Sequence, residues 1–166
     1  ASMNPSPSGY FADEKGLSQS TAQEMSRYLS KISGPLLDRI DLHIEVNPVP
    51  FEKLSDRGLA ESSDEIRKRV IDARKIQSKR FEQTSGIHYN AQLNSKLLKE
   101  HCELDQDSLS LLKTAMERLN LSARAYDRIL KVSRTIADLD SSKNIKPQHI
   151  AEAIQYRSLD REGWVS

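Results

Sequence analysis

Two arginines, an asparagine and four serines are the residues of this chain whose types and settings could do chemistry. Arg39 lies in Ser33-Gly34-Pro35-Leu36-Leu37-Asp38-Arg39-Ile40-Asp41. Gly34 permits an unusual backbone angle there and Pro35 fixes the next one, so the spacing predicts a stiff turn leading to the mouth of a strand. A guanidinium held on such a platform can project towards an anion and does not lose its proton. Pairing with Asp38, Asp41 or another surface acid is the alternative. Arg124 falls in the first turn of an expected helix, Leu121-Ser122-Ala123-Arg124-Ala125-Tyr126-Asp127-Arg128-Ile129-Leu130-Lys131-Val132. Its charge there adds to backbone N–H groups that also favour anions, so the two together could hold a phosphate; a neighbouring acid is again the alternative partner. Asn4 precedes Pro5, which makes it extended. Its amide can hydrogen-bond a water or a phosphate oxygen, although Asn-Pro also starts turns. Ser6, Ser8, Ser18 and Ser20 form two Ser-x-Ser pairs around a short loop, and hydroxyls that are hard and mostly protonated are poor zinc ligands. No metal is expected there.

The wording of these stretches is specific. Ser-Gly-Pro-Leu-Leu-Asp-Arg-Ile-Asp resembles the arginine-finger segment of the magnesium-chelatase-like AAA+ ATPases, the ComM (YifB) group in particular. Met3-Asn4-Pro5 resembles the sensor 1 segment, and Ser122 to Val132 resembles the sensor 2 helix. Thr135-Ile136-Ala137-Asp138-Leu139 and Glu152-Ala153-Ile154-Gln155-Tyr156-Arg157 continue the likeness, so it runs over nearly the whole chain. The resemblance implies that Arg39 acts in trans on the γ-phosphate of a nucleotide held by a neighbouring subunit. It implies further that Asn4 helps position the attacking water and that Arg124 is the sensor 2 arginine, with Arg128 and Arg134 as weaker helpers. ATP and magnesium would be cofactors of a full-length parent, a homo-hexameric ring working on DNA through upstream regions. The group typically carries Cys-Pro-Cys-Gly and then Cys-x-Cys where this chain has its serines, which is the clear departure.

The elements that must position these residues are mostly helices. Met25, Tyr28, Leu29 and Ile32 fall at helical spacing after a cap at Ser20 or Thr21, and Asp41 to Val46 alternates like a strand. Asn47-Pro48-Val49-Pro50 is a stiff break. Ser62-x-x-Glu65 is a capping-box signature opening a long helix that Gly86 closes. Helices are expected around 95–101, over 108–119, from Ser122 to about Leu139, and from Pro147 to about Tyr156. The expected fold class is mainly α: the end of an AAA+ α/β core with one or two strands (1–47), a connector with the long helix (48–94), and a helical lid bundle (95–166).

Composition limits the alternatives. The chain has 166 residues, 30% charged and 37% hydrophobic, with a formal net charge of +1. That balance argues against a dedicated nucleic-acid tail or a membrane-surface patch. No apolar run approaches the roughly 20 residues needed to span a bilayer, no signal peptide is read, and the single cysteine, Cys102, fits a cytoplasmic setting. No Gly-x-x-x-x-Gly-Lys-[Ser/Thr] loop occurs, nor an apolar strand ending in adjacent acids. The chain alone is therefore expected neither to bind ATP well nor to hydrolyse it, as phosphoryl transfer needs both parts. The reading is a C-terminal portion of a larger ATPase. The alternatives are a magnesium-chelatase-type ATPase subunit, a stand-alone helical DNA-binding module built on helices 108–119 and 123–139, or a pure interaction domain.

Overall fold

The computed structural model describes residues 1–4, 6, 21–46, 49 and 61–157. These fall into two compact units that part between Ile40 and Asp41.

In the first unit, Thr21 caps helix α1 (Ala22–Leu29) through a reciprocal box with Glu24, whose carboxylate accepts from the Thr21 backbone N–H at 2.8 Å. That bonding holds the Glu24 carboxyl below its usual range. Tyr28, on the far turn of α1, donates its hydroxyl to the Asn4 carbonyl at 2.9 Å. The expected turn at Ser33-Gly34-Pro35 is instead the entry to a single helical turn, α2 (Gly34–Leu37). Proline lacks only an N–H that the first turn of a helix leaves unused, so Pro35 starts a helix as readily as it stiffens a turn. The Leu36 and Leu37 amides both donate to the Ser33 carbonyl, and Leu37 is buried.

The second unit is a helical bundle. Its first stretch corrects the strand expectation: residues 41–46 join no ladder among the described residues. A strand needs a neighbour to bond its backbone groups. Without one the alternating apolar row stays open, with Ile44 71% and Val46 83% exposed. The long helix α3 (Ser63–Arg80) begins where its signature placed it, with the Glu65 amide donating to Ser62 Oγ and the Glu65 carboxylate accepting from the Ser62 N–H. It ends at Arg80, short of Gly86, because Phe81 turns into the core at 3% exposure; Gly86 then takes the positive φ of 76° that closes the turn. Residues 61–72 are exposed throughout, whereas Ala73 and Gln77 are buried.

A 3-10 turn (Asn90–Gln92) leads to α4 (Ser95–His101), α5 (Gln106–Arg118), α6 (Ala123–Leu139) and α7 (Pro147–Gln155). Helix α5 starts two residues before the expected Ser108, because Asp105 is the cap and accepts the Ser108 amide at 2.8 Å. Asn120, at φ 47°, makes the turn between α5 and α6. Leu98, Leu112, Ile129, Leu130 and Ile150, on the helices, and Ile145, in the segment before α7, form the centre of the core. An isolated parallel bridge joins Leu104 to Ile145. The chain is mainly α, and no helix among the described residues is long and apolar enough to cross a membrane.

Candidate functional site

Helix α6 carries the richest chemistry. Ser122 caps it, its hydroxyl accepting from the Ala125 amide at 3.2 Å. Ala125, Ile129 and Ala137 are almost wholly buried, so packing fixes the orientation of the helix. Arg124, in its first turn, is exposed and makes no ion pair among the described residues. With no partner among the described residues, its guanidinium lies beside the N-terminal backbone amides, a setting that suits an anion.

The other arginines of α6 have partners. Arg128, one turn on, forms an ion pair with Asp41. Arg134 is 3% exposed and donates from Nε to Asp138 at 3.2 Å, and from its two terminal nitrogens to the carbonyls of Lys143 (3.0 Å) and Ser142 (2.7 Å). Burial lowers the Arg134 guanidinium below its ordinary value, and the Asp138 charge opposes that shift. Arg134 therefore holds the loop between α6 and α7.

Asp138 is the hub of a buried polar cluster that the sequence reading missed. It accepts from both terminal nitrogens of Arg80 on α3, from Arg134 Nε and from the Asn90 amide at 2.8 Å. Asn90 in turn accepts from Arg80 at 2.8 Å, donates to Thr135 Oγ1 at 3.1 Å, and gives its backbone N–H to Gln77. The legible signal was an acid four residues after Arg134 on a stripe of core positions, where an unpaired charge is not tolerated. At the far side, His149 accepts the Lys146 backbone N–H on Nδ1 at 3.0 Å, and its Nε2 lies 3.1 Å from Asp140.

The remaining sequence candidates lie in the first unit. Arg39 sits just past α2, its amide donating to the Leu36 carbonyl at 3.0 Å. Its side chain is exposed, with no ion pair among the described residues. Asn4 is exposed, and its backbone is tied to α1 through Tyr28. Ser6 is buried rather than on an open loop, at 1% exposure; Ser8, Ser18 and Ser20 lie outside the described residues. Among the described residues, no three His, Cys, Asp or Glu side chains gather as a metal site would require. Burial pushes the Cys102 thiol up to about 11, which makes it a core residue and not a nucleophile.

This helical bundle with a free arginine at the head of its central helix belongs to a recognisable class. Residues 60–157 match the magnesium chelatase subunit ChlI C-terminal family, and residues 1–54 match the magnesium chelatase subunit ChlI family. The chain belongs to the magnesium chelatase ChlI family. Over 164 residues it is 43% identical to the Competence protein ComM of Haemophilus influenzae, covering 97% of this chain and 30% of that protein. Over 163 residues it is 39% identical to the Uncharacterized protein YifB of Escherichia coli, with 97% and 31% covered. The Uncharacterized protein Mb2921c of Mycobacterium bovis is 34% identical over 131 residues, 79% of this chain and 26% of that protein. The chain thus spans about 30% of the length of these curated relatives and corresponds to their C-terminal part.

Proposed function

We propose that this chain supplies the arginine-finger and sensor residues of a ring-forming AAA+ ATPase of the magnesium-chelatase-like ComM/YifB group. The carrying observation is that Arg124 is exposed and without an ion pair among the described residues at the capped start of α6, while Arg134, on the same helix, is buried in bonds. An arginine that stability does not need, held on a helix that packing does fix, is suited to a ligand. Two guanidiniums with no ion pair among the described residues, Arg39 and Arg124, fit phosphate oxygens. No acidic cluster among the described residues fits magnesium, so the metal would be held by another part of the parent. ATP and magnesium, when bound, supply the phosphoryl group and neutralise its charge. In this reading Arg124 would bind and orient the γ-phosphate, Arg39 would reach it from the neighbouring subunit of a hexamer, and Asn4 would hold the attacking water. The work done is taken to be on DNA, as the resemblance to the ComM group implies.

The test uses mixed rings of the full-length parent. Arg39→Ala subunits are combined with subunits whose phosphate loop is inactivated. Recovery of hydrolysis that neither variant shows alone is the expected result. Normal assembly with no recovery refutes action in trans. Arg124→Ala is expected to impair hydrolysis, and unchanged kinetics would remove it from the site.

A helix-turn-helix DNA-binding reading is less favoured. Arg128, which would lie on the recognition helix, is engaged by Asp41.

A further inference from the structure

We infer that the first two turns of α3 are a docking face for an acidic amphipathic helix, supplied by the part of the parent protein upstream of this chain. Ile66, Val70, Ala73 and Gln77 follow one another at steps of four, three and four residues, so they share one face of the helix. The far half of that face is covered. Ala73 and Gln77 are buried, Gln77 accepts the Asn90 backbone N–H at 3.2 Å, and α3 packs on α6. The near half is open. Ile66 is 43% and Val70 47% exposed, and every residue from 61 to 72 is exposed with them. The apolar stripe thus continues past the surface against which its far end packs.

The flanks of the stripe select the occupant. At about 3.6 residues per turn, Arg69 falls on one side of it, and Arg67 and Arg74 fall on the other. Seven lysines and arginines against three acids give α3 a net charge of +4, in a chain whose formal net charge is +1. Asp64 bonds Arg67 at 2.8 Å and Glu61 pairs with Arg69, all four side chains being exposed. Such pairs contribute little to stability and exchange readily for a better-placed carboxylate. Arg74 lies over the Tyr89 ring, 4.1 Å from its centre. A second copy of α3 would bring like charges together along both sides of the stripe. Nucleic acid would meet the arginines but would leave Ile66 and Val70 uncovered. A helix with a short apolar stripe between rows of Asp and Glu meets both. Two apolar side chains are too little to hold a separate protein, since a stable interface buries about 800 Å² on each partner. They suffice for a segment of the same chain, whose linkage raises its effective concentration. ComM and YifB supply that length: this chain covers 30% and 31% of them, at their C-terminal part.

The experiment compares amide hydrogen exchange over residues 63–72 in the 166-residue chain and in the full-length parent. Covering the open parts of Ile66 and Val70 slows exchange there by about 10- to 100-fold, and that difference is the expected result. In the parent, Val70→Asp is expected to return exchange to the rate of the 166-residue chain, and Arg69→Glu to do so in part. Lys68→Glu, on the opposite face of α3, should leave it unchanged. Because Val70 is exposed, Val70→Asp should move the melting midpoint of the 166-residue chain by a few degrees at most. A photoreactive benzoylphenylalanine replacing Val70 in the parent is expected to crosslink to a peptide upstream of residue 1 that carries Asp or Glu at helical spacing. Equal exchange in the chain and the parent would overturn the inference, and so would crosslinks that join α3 to α3 of a second copy. Affinity for a single-stranded oligonucleotide that falls with Arg69→Glu and ignores Val70→Asp, with no upstream crosslink, would make the face a nucleic-acid surface and overturn it too. None of these readings uses ATP hydrolysis, so loss of the ATPase proposal leaves the test intact.

Discussion

Replacing Asp138 by asparagine removes the negative charge that, among the described residues, pairs with both Arg80 and Arg134. The Asp138 side chain is 0% exposed, Arg134 4% and Arg80 15%. The aspartate now satisfies four donors, from Arg80, Arg134 and Asn90. Asparagine offers one acceptor oxygen and turns an N–H₂ group towards donors that cannot accept from it. Removing one partner of a buried ion pair costs about 3–5 kcal/mol, since the remaining charge is left without compensation. Arg80 can swing partly into water, and Arg134 keeps the Ser142 and Lys143 carbonyls. The lower end, about 3 kcal/mol, is therefore expected. For a unit of this size each kcal/mol moves the melting midpoint by about 4 °C, so the fall should be roughly 12 °C. Far-UV circular dichroism at 222 nm reads it directly, because the helices of this unit dominate the signal. A fall below about 4 °C would mean that the buried cluster does not bear on stability and that the reasoning from burial is wrong. Arg80→Gln should cost less than Asp138→Asn, because it leaves the Asp138–Arg134 pair in place.

Two further outcomes follow from the ionisable groups. Burial raises the Cys102 thiol from 9.0 to about 11, so the unfolded chain loses this proton first. The resulting stability is complete below pH 9 and is lost as pH rises towards 11, by roughly 3 kcal/mol; Cys102→Ala, melted across that range, should flatten the decline, and an unchanged slope would refute the assignment. The same burial should make Cys102 react with a thiol reagent at pH 8 only as fast as the unit opens. The bond from the Ser108 backbone N–H lowers the Asp105 carboxyl below its ordinary value. That stabilisation is present above pH 4 and lost as pH falls through the lower folded value, so Asp105→Asn, which keeps a cap, should make α5 less sensitive to acid in amide exchange.

The bundle was legible because its signals are local. Ser62 and Glu65 cap α3, Ser122 caps α6 and Pro147 opens α7, each at the residue where the sequence pattern put it. The core stripes on α5, α6 and α7 follow from spacing for most positions. Leu109 and Leu139, which fall on the same spacing, are each 46% exposed because they sit on the outer edge of their helices. What was not legible depends on pairing over distance. Alternation at 41–46 reports a preference for extended backbone, but a strand also needs a neighbour, which no pattern within six residues can supply. The Asp138 cluster is hidden for a related reason. Arg80 and Asp138 lie 58 residues apart, and as isolated charges in sequence they look like solvated surface.

The arginines were the hardest residues to sort, and the sorting has a physical basis. From sequence, Arg124, Arg128 and Arg134 share one helix at intervals of four and six residues, and each could face a phosphate or an acid. Partners divide them. Arg134 is enclosed by a carboxylate and two carbonyls, Arg128 meets Asp41 part-way to the surface, and Arg124 meets none of the described acids. Exposure rises in the same order towards the capped end of α6, where backbone amides are open to an incoming anion. A guanidinium with every donor filled stabilises the fold and gains little from a ligand, because binding would first have to break those bonds. A guanidinium with none filled contributes little to the fold and can give its whole donor set to a phosphate. Stability and ligand binding thus compete for the same five N–H groups of an arginine. Arg124, at the open end of α6, is the arginine of this helix whose donors no acid among the described residues takes up, which is why the proposal above gives it to the phosphate.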